Sequence, residues 1–493
     1  MKEKILIFGT GNYYKLSKEI LSDFFEILAF VDNNKEKQDT VFENKKVICP
    51  EKIKEIPFDK IFIASMYIDE ITEQLIKLGI EEDKIISDAT YMPVFYKKIS
   101  RIKYKKDFQS RNKKHILFCV SNLNGGGAER VLIDILDNFN YEKYEVTLLV
   151  LFKEGVYFDK INKNVNMIVI FNSDEERVFG HSIIKKMNPD IIYRHIVKIK
   201  SDVEIAFLEG EASKVISGSN GSGKKVAWVH IDLKENHWTK CVFKSLQDEK
   251  ECYERFNNVV CVSEGVKKSL IELFDLNKEK VNVIYNMFEI EKIMRLSNEP
   301  IYNIDQFDGF TFCAAGRLDR QKGFDRLIKV HAKLIRENLK HHIIILGRGK
   351  EENKLLELVK KLRVEDSVHF LGFKDNPYKF MMSSDAFILS SRAEGFPLVL
   401  CEALILGKPV VSTECCGVKE ILSDGEYGMV VDNSEDGIYN GMKSMICNKN
   451  LINKYKKMAQ IRRGFFNKDK VMEDIESLFD TNLSYIEGEK LNV

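Results

Sequence analysis

A buried strand is joined to a helix in the sequence Ala386-Phe387-Ile388-Leu389-Ser390-Ser391-Arg392-Ala393-Glu394-Gly395-Phe396-Pro397-Leu398-Val399-Leu400-Cys401-Glu402. The apolar run at its start predicts the strand. Pro397 predicts the first turn of the helix, where a missing N–H costs nothing. Glu394 then lies in the loop at the carboxyl end of the strand, and Glu402 lies about one turn inside the helix. In open α/β sheets, ligands bind at this edge.

The two carboxylates suit a particular kind of ligand. The free N–H groups at the start of a helix favour an anion such as phosphate. Glu394 and Glu402 can accept hydrogen bonds from hydroxyl groups. Together these features favour a ligand with both hydroxyls and phosphates, such as a nucleotide-sugar. The alternative is that both glutamates are ordinary solvated residues, since this spacing alone is common.

The composition sets limits on the protein class. The chain has 493 residues, 44% of them hydrophobic, and a net charge of +1. This length suggests about two to four domains, and the charge gives no general attraction to nucleic acid. No apolar run reaches the roughly 18 residues of a membrane span. The ten cysteines form no C-x-x-C pair, and the N-terminal apolar run is too short for a signal peptide. We expect a cytoplasmic protein.

Short apolar runs alternate with helical patterns along most of the chain, which predicts parallel sheets. The expected fold class is α/β, with two doubly wound Rossmann-like domains and a small N-terminal Rossmann-like domain. The expected organisation is an accessory domain at 1–95, a basic linker at 96–114, two larger domains at 115–295 and 296–465, and a helical tail at 466–493.

The linker carries nine lysines and arginines between Tyr96 and His115, against the single acid Asp107. One interpretation is a solvated connector. The second is a peripheral contact with an anionic membrane surface, where each basic residue contributes about 1 kcal/mol.

A second polar loop follows a predicted strand, in the sequence Gly316-Arg317-Leu318-Asp319-Arg320-Gln321-Lys322-Gly323. A helix is predicted from about Phe324. Arg317 and Lys322 therefore project toward the same crevice as Glu394. A guanidinium can chelate phosphate oxygens and an ammonium adds a point charge, so this loop predicts a pyrophosphate site. Two solvated surface cations are the alternative.

Two glycine-rich loops differ in whether they are expected to contact a ligand phosphate. Asn124-Gly125-Gly126-Gly127-Ala128-Glu129-Arg130 follows a strand and opens a helix, which predicts backbone contacts with a ligand phosphate. A flexible turn is the alternative. Gly218-Ser219-Asn220-Gly221-Ser222-Gly223-Lys224-Lys225 is close to a P-loop, but a strand follows it and Lys225 replaces the hydroxyl residue. We therefore do not expect nucleoside triphosphate hydrolysis there.

His230 ends the predicted strand Val226-Ala227-Trp228-Val229 and can reach the same edge. A structural role is the alternative for this single histidine, as it is for Glu209.

The span from about 113 to 465 resembles the retaining glycosyltransferases of family 4, which have the GT-B fold of two Rossmann-like domains. The resemblance rests on the loop from Gly316 to Gly323, the pair Glu394 and Glu402, the loop from Asn124 to Arg130, and Trp228-Val229-His230. It makes 115–295 the acceptor-side domain and 296–465 the donor-binding domain.

The resemblance implies a role for each site residue. Arg317 and Lys322 would bind the donor pyrophosphate, Glu402 the ribose hydroxyls, and Glu394 the transferred sugar. His230 would assist at the reacting centre. The remaining donor-binding residues implied are Gly126, Gly127, Phe396, Pro397 and Leu398.

The implied reaction is a metal-independent transfer with retention, from a nucleoside-diphosphate-sugar to a cell-surface glycan or lipid-linked acceptor. No cofactor is implied, and a UDP-sugar is the favoured donor. Attack from the face of the leaving group is expected, with Glu394 as a covalent nucleophile the alternative. An epimerase or a phosphorylase of the same shape would also fit these residues, as would an inactive nucleotide-sugar-binding protein.

The N-terminal block carries a partial dinucleotide fingerprint. Gly9 and Gly11 follow a predicted strand, and Asp32 ends the next strand about 20 residues on. Tyr14 replaces the third glycine, which we expect to loosen the contact between helix and strand. This block predicts either an accessory nucleotide site or a fold used only for docking.

Overall fold

The computed structural model describes residues 2–11, 13–15, 18, 21–22, 25–65, 67–86, 113–197, 199–301 and 308–479. These residues form an α/β protein with three sheets, as the sequence predicts. The predicted basic linker lies outside the described residues except for Lys113 and Lys114.

The N-terminal domain contains a six-stranded sheet in the order β3-β4-β2-β1-β5-β6. All neighbouring strands are parallel except the β3–β4 pair. The elements are β1 Glu3–Phe8, β2 Phe25–Val31, β3 Val41–Phe42, β4 Lys45–Ile48, β5 Lys60–Ile63, α1 Ile68–Lys77 and β6 Ile85–Ile86.

Tyr14 corrects one expectation about this domain. Instead of loosening the structure, its ring is buried and packs edge-on against Phe30 and Phe42. The aromatic side chain fills space between the helical segment and the sheet, where a glycine allows direct backbone contact.

The first of the two larger domains contains a seven-stranded parallel sheet in the order β13-β12-β11-β10-β7-β8-β9. Its inner strands are mostly buried, because helices cover both faces of a parallel sheet. The elements are β7 Lys114–Val120, α2 Gly127–Asp137, β8 Tyr144–Phe152, β9 Asn166–Phe171, α3 Asp174–Lys186, α4 Pro189–Ile196, β10 Val203–Ala206, α5 Glu211–Ser217, β11 Lys224–Val229, α6 Leu246–Glu254, β12 Asn258–Cys261, α7 Glu264–Phe274, β13 Val281–Val283 and α8 Ile290–Ser297.

The second of the two larger domains contains a six-stranded parallel sheet in the order β16-β15-β14-β17-β18-β19. Its elements are β14 Phe310–Ala315, α9 Phe324–Arg336, β15 His341–Leu346, α10 Glu352–Leu362, β16 Val368–Gly372, α11 Tyr378–Ser383, β17 Ala386–Leu389, α12 Leu398–Ile405, β18 Val410–Thr413, α13 Val418–Leu422, β19 Met429–Val431, α14 Glu435–Cys447 and α15 Lys449–Arg462.

The C-terminal segment returns to the first of the two larger domains. After α15, helix α16 spans Lys468–Ser477, and Phe479 packs against Phe139 and Tyr144. Lys114 Nζ donates to the Phe479 carbonyl at 3.1 Å. The described part of the chain after α15 therefore packs against that domain. Among the residues described, no helix combines the length and apolar character needed to cross a membrane.

Candidate active site

The topology of the third sheet places two loops at one crevice. Strand β14 lies between β15 and β17, so the chain leaves β14 in one direction and later returns on its other side. The carboxyl ends of β14 and β17 therefore border a topological switch point, where open α/β sheets bind ligands. The loop from Gly316 to Gly323 follows β14, and the loop from Ser390 to Pro397 follows β17. These are the loops that the sequence singles out.

Lys322 and Glu394 meet at this crevice. The Lys322 ammonium donates to Glu394 Oε1 at 2.6 Å, and the Ser391 hydroxyl donates to the same oxygen at 2.5 Å. The Glu394 side chain is 8% exposed and that of Lys322 is 18% exposed. A cation suited to phosphate thus lies beside a carboxylate suited to sugar hydroxyls.

The two loops are fastened to each other around this pair. The Ser390 hydroxyl donates to the Lys322 carbonyl, and the Asp319 carboxylate accepts from the Lys322 amide. Gly323 has φ +68°, and a Cβ on it would lie 2.1 Å from the Ser390 carbonyl oxygen. Only glycine fits this position, because it combines a left-handed backbone with close approach of the neighbouring chain.

Arg317 lies at the rim of the crevice. Its guanidinium donates to Asp319 at 2.8 Å, and its side chain remains 66% exposed. It also faces Glu129 of the first larger domain: burial raises the pKa of Glu129, and the charge of Arg317 opposes this rise. Arg317 is therefore accessible to a ligand that enters between the domains.

Glu402 occupies the fifth position of α12, which begins at Leu398 one residue after the predicted start. It ends a hydrogen-bond chain that crosses between the two domains. Arg130 donates to the Tyr378 hydroxyl at 2.6 Å, and that hydroxyl donates to Glu402 Oε1 at 2.9 Å. Glu402 is thus held by a residue of the first domain as well as by one of its own.

Burial and neighbouring charges have opposite effects on the pKa values of Glu402 and Arg130. Burial raises the pKa of Glu402, and the Arg130 charge and the Tyr378 hydrogen bond oppose that rise. Burial acts to lower the pKa of Arg130, but Glu402 and its other neighbours raise it overall. Arg130 is therefore a permanent cation that favours the carboxylate form of Glu402.

The glycine loop of the first domain closes against the start of α12. Gly126 precedes α2 and Gly127 begins it. A Cβ on Gly127 would lie 3.0 Å from Leu398 Cδ1. Phe396 is buried behind this contact and Pro397 precedes the helix. The residues that are predicted to enclose a donor from the two domains therefore lie close to one another.

His230 follows β11 and is held by the first domain. Its ring Nε2 lies 2.9 Å from the Phe207 carbonyl, and its amide donates to Glu209 at 3.0 Å. Burial lowers the pKa of His230 to about 3, and the contact with Phe207 only partly opposes this. The imidazole is therefore neutral near pH 7. Since a carbonyl accepts, Nε2 carries the proton and Nδ1 remains an acceptor.

The second domain touches His230 directly. A Cβ on Gly395 would lie 2.3 Å from the His230 carbonyl oxygen. The backbone next to Glu394 therefore packs on the backbone of His230, which brings these two predicted residues together.

The predicted accessory residues lie apart in the N-terminal domain. Gly9 follows the first strand, and its amide donates to the Val31 carbonyl. Asp32 accepts from the Thr10 hydroxyl at 2.6 Å and from Lys37 at 3.2 Å. Its carboxylate is thus already engaged within the domain, and nucleotide binding by Gly9, Gly11 and Asp32 stays a prediction.

Sequence reasoning gave no role to Arg130, Tyr378 or Ser391. Ser391 lies three residues before Glu394 in the same strand-to-helix loop, so its position in the sequence could have indicated a contact with Glu394. Arg130 and Tyr378 are 248 positions apart, and no spacing in the sequence links them.

Solved structures with the same architecture are known. Anabaena HepE in complex with UDP and glucose aligns with a TM-score of 0.60 at 20% identity, covering 74% of this chain and 99% of that one. Staphylococcus aureus TarM, in a complex containing UDP, aligns with a TM-score of 0.59 at 14% identity, covering 75% and 100%. These similarities define a protein of the GT-B fold.

Family models match both larger domains. Residues 125–292 match the model described as Glycosyltransferase Family 4, and residues 305–462 match Glycosyl transferases group 1. Residues 1–86 match a C2185-like N-terminal domain. The two larger domains are therefore glycosyltransferase domains, the first of them of the family 4 type, and the chain carries an additional N-terminal domain.

One relative matches over most of both chains. It is the N-acetylgalactosamine-N,N'-diacetylbacillosaminyl-diphospho-undecaprenol 4-alpha-N-acetylgalactosaminyltransferase of Campylobacter jejuni. The identity is 28% over 368 residues, which cover 72% of this chain and 96% of the relative.

Proposed function

We propose that this glycosyltransferase moves a sugar from a nucleoside-diphosphate-sugar, with a UDP-sugar favoured, to a lipid-linked or cell-surface glycan. The observation that carries the proposal is the 2.6 Å contact between Lys322 and Glu394. It joins a group that stabilises a departing phosphate to a group that holds sugar hydroxyls. UDP in the related HepE and TarM structures supports the donor, and the undecaprenol-linked substrate of the Campylobacter relative supports the acceptor.

The proposed chemistry is retaining and independent of a bound metal. As the glycosidic bond to phosphate breaks, positive charge grows at the anomeric carbon and negative charge grows on the diphosphate. Lys322 and Arg317 stabilise the departing diphosphate from preorganised positions. The acceptor hydroxyl attacks from the face that the diphosphate leaves, and its proton passes to the departing phosphate oxygen. One bond from the anomeric carbon to the acceptor oxygen forms as the bond from that carbon to the phosphate oxygen breaks.

The other residues bind and orient the donor. Glu402 accepts hydrogen bonds from the ribose hydroxyls through the carboxylate that Arg130 and Tyr378 position. The backbone at Gly126 and Gly127 covers the diphosphate from the first domain. His230 is neutral, so it acts as a hydrogen-bond acceptor for the sugar rather than as a cation. The proposed contact of residues 96–114 with an anionic membrane is tested separately, by vesicle sedimentation of charge-neutralised variants.

The test is mass spectrometry of the products formed from UDP-, GDP- and ADP-sugars. We expect slow release of one nucleotide by the wild-type protein and loss of that release in Lys322→Met. Lys329→Met is the matched control, because Lys329 lies on the neighbouring helix α9 and pairs with Glu435 on the surface. An isomerised donor with no free nucleotide indicates an epimerase. Binding without any turnover indicates a nucleotide-sugar sensor.

A further inference from the structure

Glu420 of the second GT-B domain is held by groups of the first. It lies on the short helix α13, and its carboxylate meets the start of α7. The amide of Glu264, the first residue of α7, donates to Glu420 Oε2 at 3.0 Å and to Oε1 at 3.3 Å. The Tyr285 hydroxyl, which follows β13, donates to Oε1 as well. The helix dipole favours a carboxylate at this end of α7.

The turn before α13 packs on the loop that carries Glu394. Gly417 has φ +75°, and a Cβ on it would lie 2.2 Å from the Gly395 carbonyl oxygen. The same carbonyl accepts from the Ser263 hydroxyl at 3.1 Å. Ser263 also caps the start of α7 through its side chain. The start of α7 therefore holds two points of the second domain, the Glu420 carboxylate and the Gly395 carbonyl.

Tyr285 provides another connection to this loop. Its ring packs against Phe396, with the ring centroids 5.7 Å apart, and against Phe465 at 5.3 Å. Phe396 is buried and lies two residues after Glu394. Tyr285 therefore contacts both the Glu420 carboxylate and the loop before α12.

We propose that Glu420 is a positioning residue, which fastens the second domain to α7 and Tyr285 so that the loop before α12 holds Glu394 at the reacting centre. Its effect on the reaction rests on the proposed function. Hydrogen bonds to a charged group are about twice as strong as those between neutral groups, so a carboxylate suits this role. Its side chain binds α7 and Tyr285, so Glu420 acts on the reaction through the loop and not on the donor directly.

Hydrogen–deuterium exchange measured by mass spectrometry tests the positioning without any turnover. We compare the wild-type protein with Glu420→Ala and with Glu426→Ala, the matched control, because Glu426 is exposed and lies just after α13. Glu420→Ala should exchange faster at residues 264–266 and also at residues 390–396, because the loop loses a contact that fixes it. Glu426→Ala should match the wild type in both segments.

The kinetic test separates turnover from nucleotide binding. We expect Glu420→Ala to lower the kcat of nucleotide release at least about tenfold, since catalytic groups misplaced by about 1 Å can cost about a hundredfold. The Kd for UDP, measured by calorimetry, should stay within about threefold of the wild-type value, because UDP lacks the sugar that Glu394 holds.

Two further variants keep part of the contact. Glu420→Gln retains one acceptor oxygen, so it should recover part of the kcat, and it serves both measurements if Glu420→Ala does not fold. Tyr285→Phe removes one donor and leaves the Glu264 amide in place, so its kcat should fall less than that of Glu420→Ala.

Three results would overturn the proposal. They are exchange that rises at residues 264–266 alone, which would make Glu420 only a cap of α7, a wild-type kcat in Glu420→Ala, and a loss of UDP affinity as large as the loss of kcat. If the wild-type protein releases no nucleotide, the proposed function fails, and the exchange at residues 390–396 alone decides whether Glu420 positions the loop.

Discussion

The chain of contacts from Arg130 through Tyr378 to Glu402 determines how the proposed ribose-binding carboxylate behaves. Burial raises the pKa of Glu402, while Arg130 opposes the rise. Donor binding needs the carboxylate form, so the affinity for donor should fall as the pH falls through this pKa. Removing the Arg130 charge raises the pKa further and moves that loss to higher pH.

We therefore predict that Arg130→Met raises the donor KM roughly tenfold at pH 7, a change of about 1.4 kcal/mol. The defect should grow toward acidic pH and shrink toward alkaline pH. Steady-state kinetics between pH 5.5 and 8.5 measure both effects. A defect of constant size across this range would show that Arg130 contributes packing alone. Tyr378→Phe should give a smaller rise in KM, because it removes only the uncharged hydroxyl between Arg130 and Glu402.

His230 makes a different kind of contribution, because burial lowers its pKa to about 3 and leaves the ring uncharged above pH 5. We predict that His230→Ala lowers kcat about tenfold, as expected for the loss of a neutral hydrogen bond. The ratio of wild-type to variant kcat should be the same at every pH from 5.5 to 8. A ratio that changes with a midpoint near pH 6.5 would show that a protonated histidine takes part.

At the scale of elements, the loop before α12 joins the two domains. Gly395 packs on the His230 backbone, and Ser263 donates to the Gly395 carbonyl at 3.1 Å. Two sequence-distant segments of the first domain thus hold the loop that carries Glu394. The position of this carboxylate depends on close backbone contact, for which a side chain leaves no room.

We predict that Gly395→Ala lowers kcat/KM about a hundredfold, the order expected when catalytic groups shift by about 1 Å. Thermal unfolding should change little by comparison, because the clash lies at the surface between domains. Gly464→Ala is the control, since a Cβ there meets nothing within 4 Å. Wild-type turnover in Gly395→Ala would mean that this contact plays no part in catalysis.

At the scale of the whole molecule, the C-terminal segment ties the second GT-B domain to the first. Phe479 is 1% exposed and packs against Phe139 and Tyr144. We predict that Phe479→Ala destabilises the first domain by about 3–5 kcal/mol, as for other buried phenylalanines. Urea unfolding followed by tryptophan fluorescence measures this, because both tryptophans lie in that domain. Ile461→Ala, at a position 64% exposed, should change stability by less than about 0.5 kcal/mol.

The three sheets could be predicted because most of their buried strands contain a continuous apolar run, as at Ala386–Leu389. The placement of Lys322 and Glu394 at one crevice also followed from the sequence, since both follow strands whose carboxyl ends share one edge. The contact between Arg130 and Tyr378 could not be predicted, because it depends on how two domains pack. The expectation for Tyr14 was wrong for a related reason: whether a bulky residue fits depends on neighbours such as Phe42, which are distant in sequence.

The most direct measurement is ¹H NMR of a UDP-α-sugar incubated with the protein, with water as the acceptor. Our account places the departing diphosphate at Lys322 and the transferred sugar at Glu394, with attack from the leaving-group face. It predicts that the α-anomer of the free sugar appears first, before mutarotation, and that its release is lost in Lys322→Met. Initial formation of the β-anomer, or release that is unchanged in Lys322→Met, would contradict it.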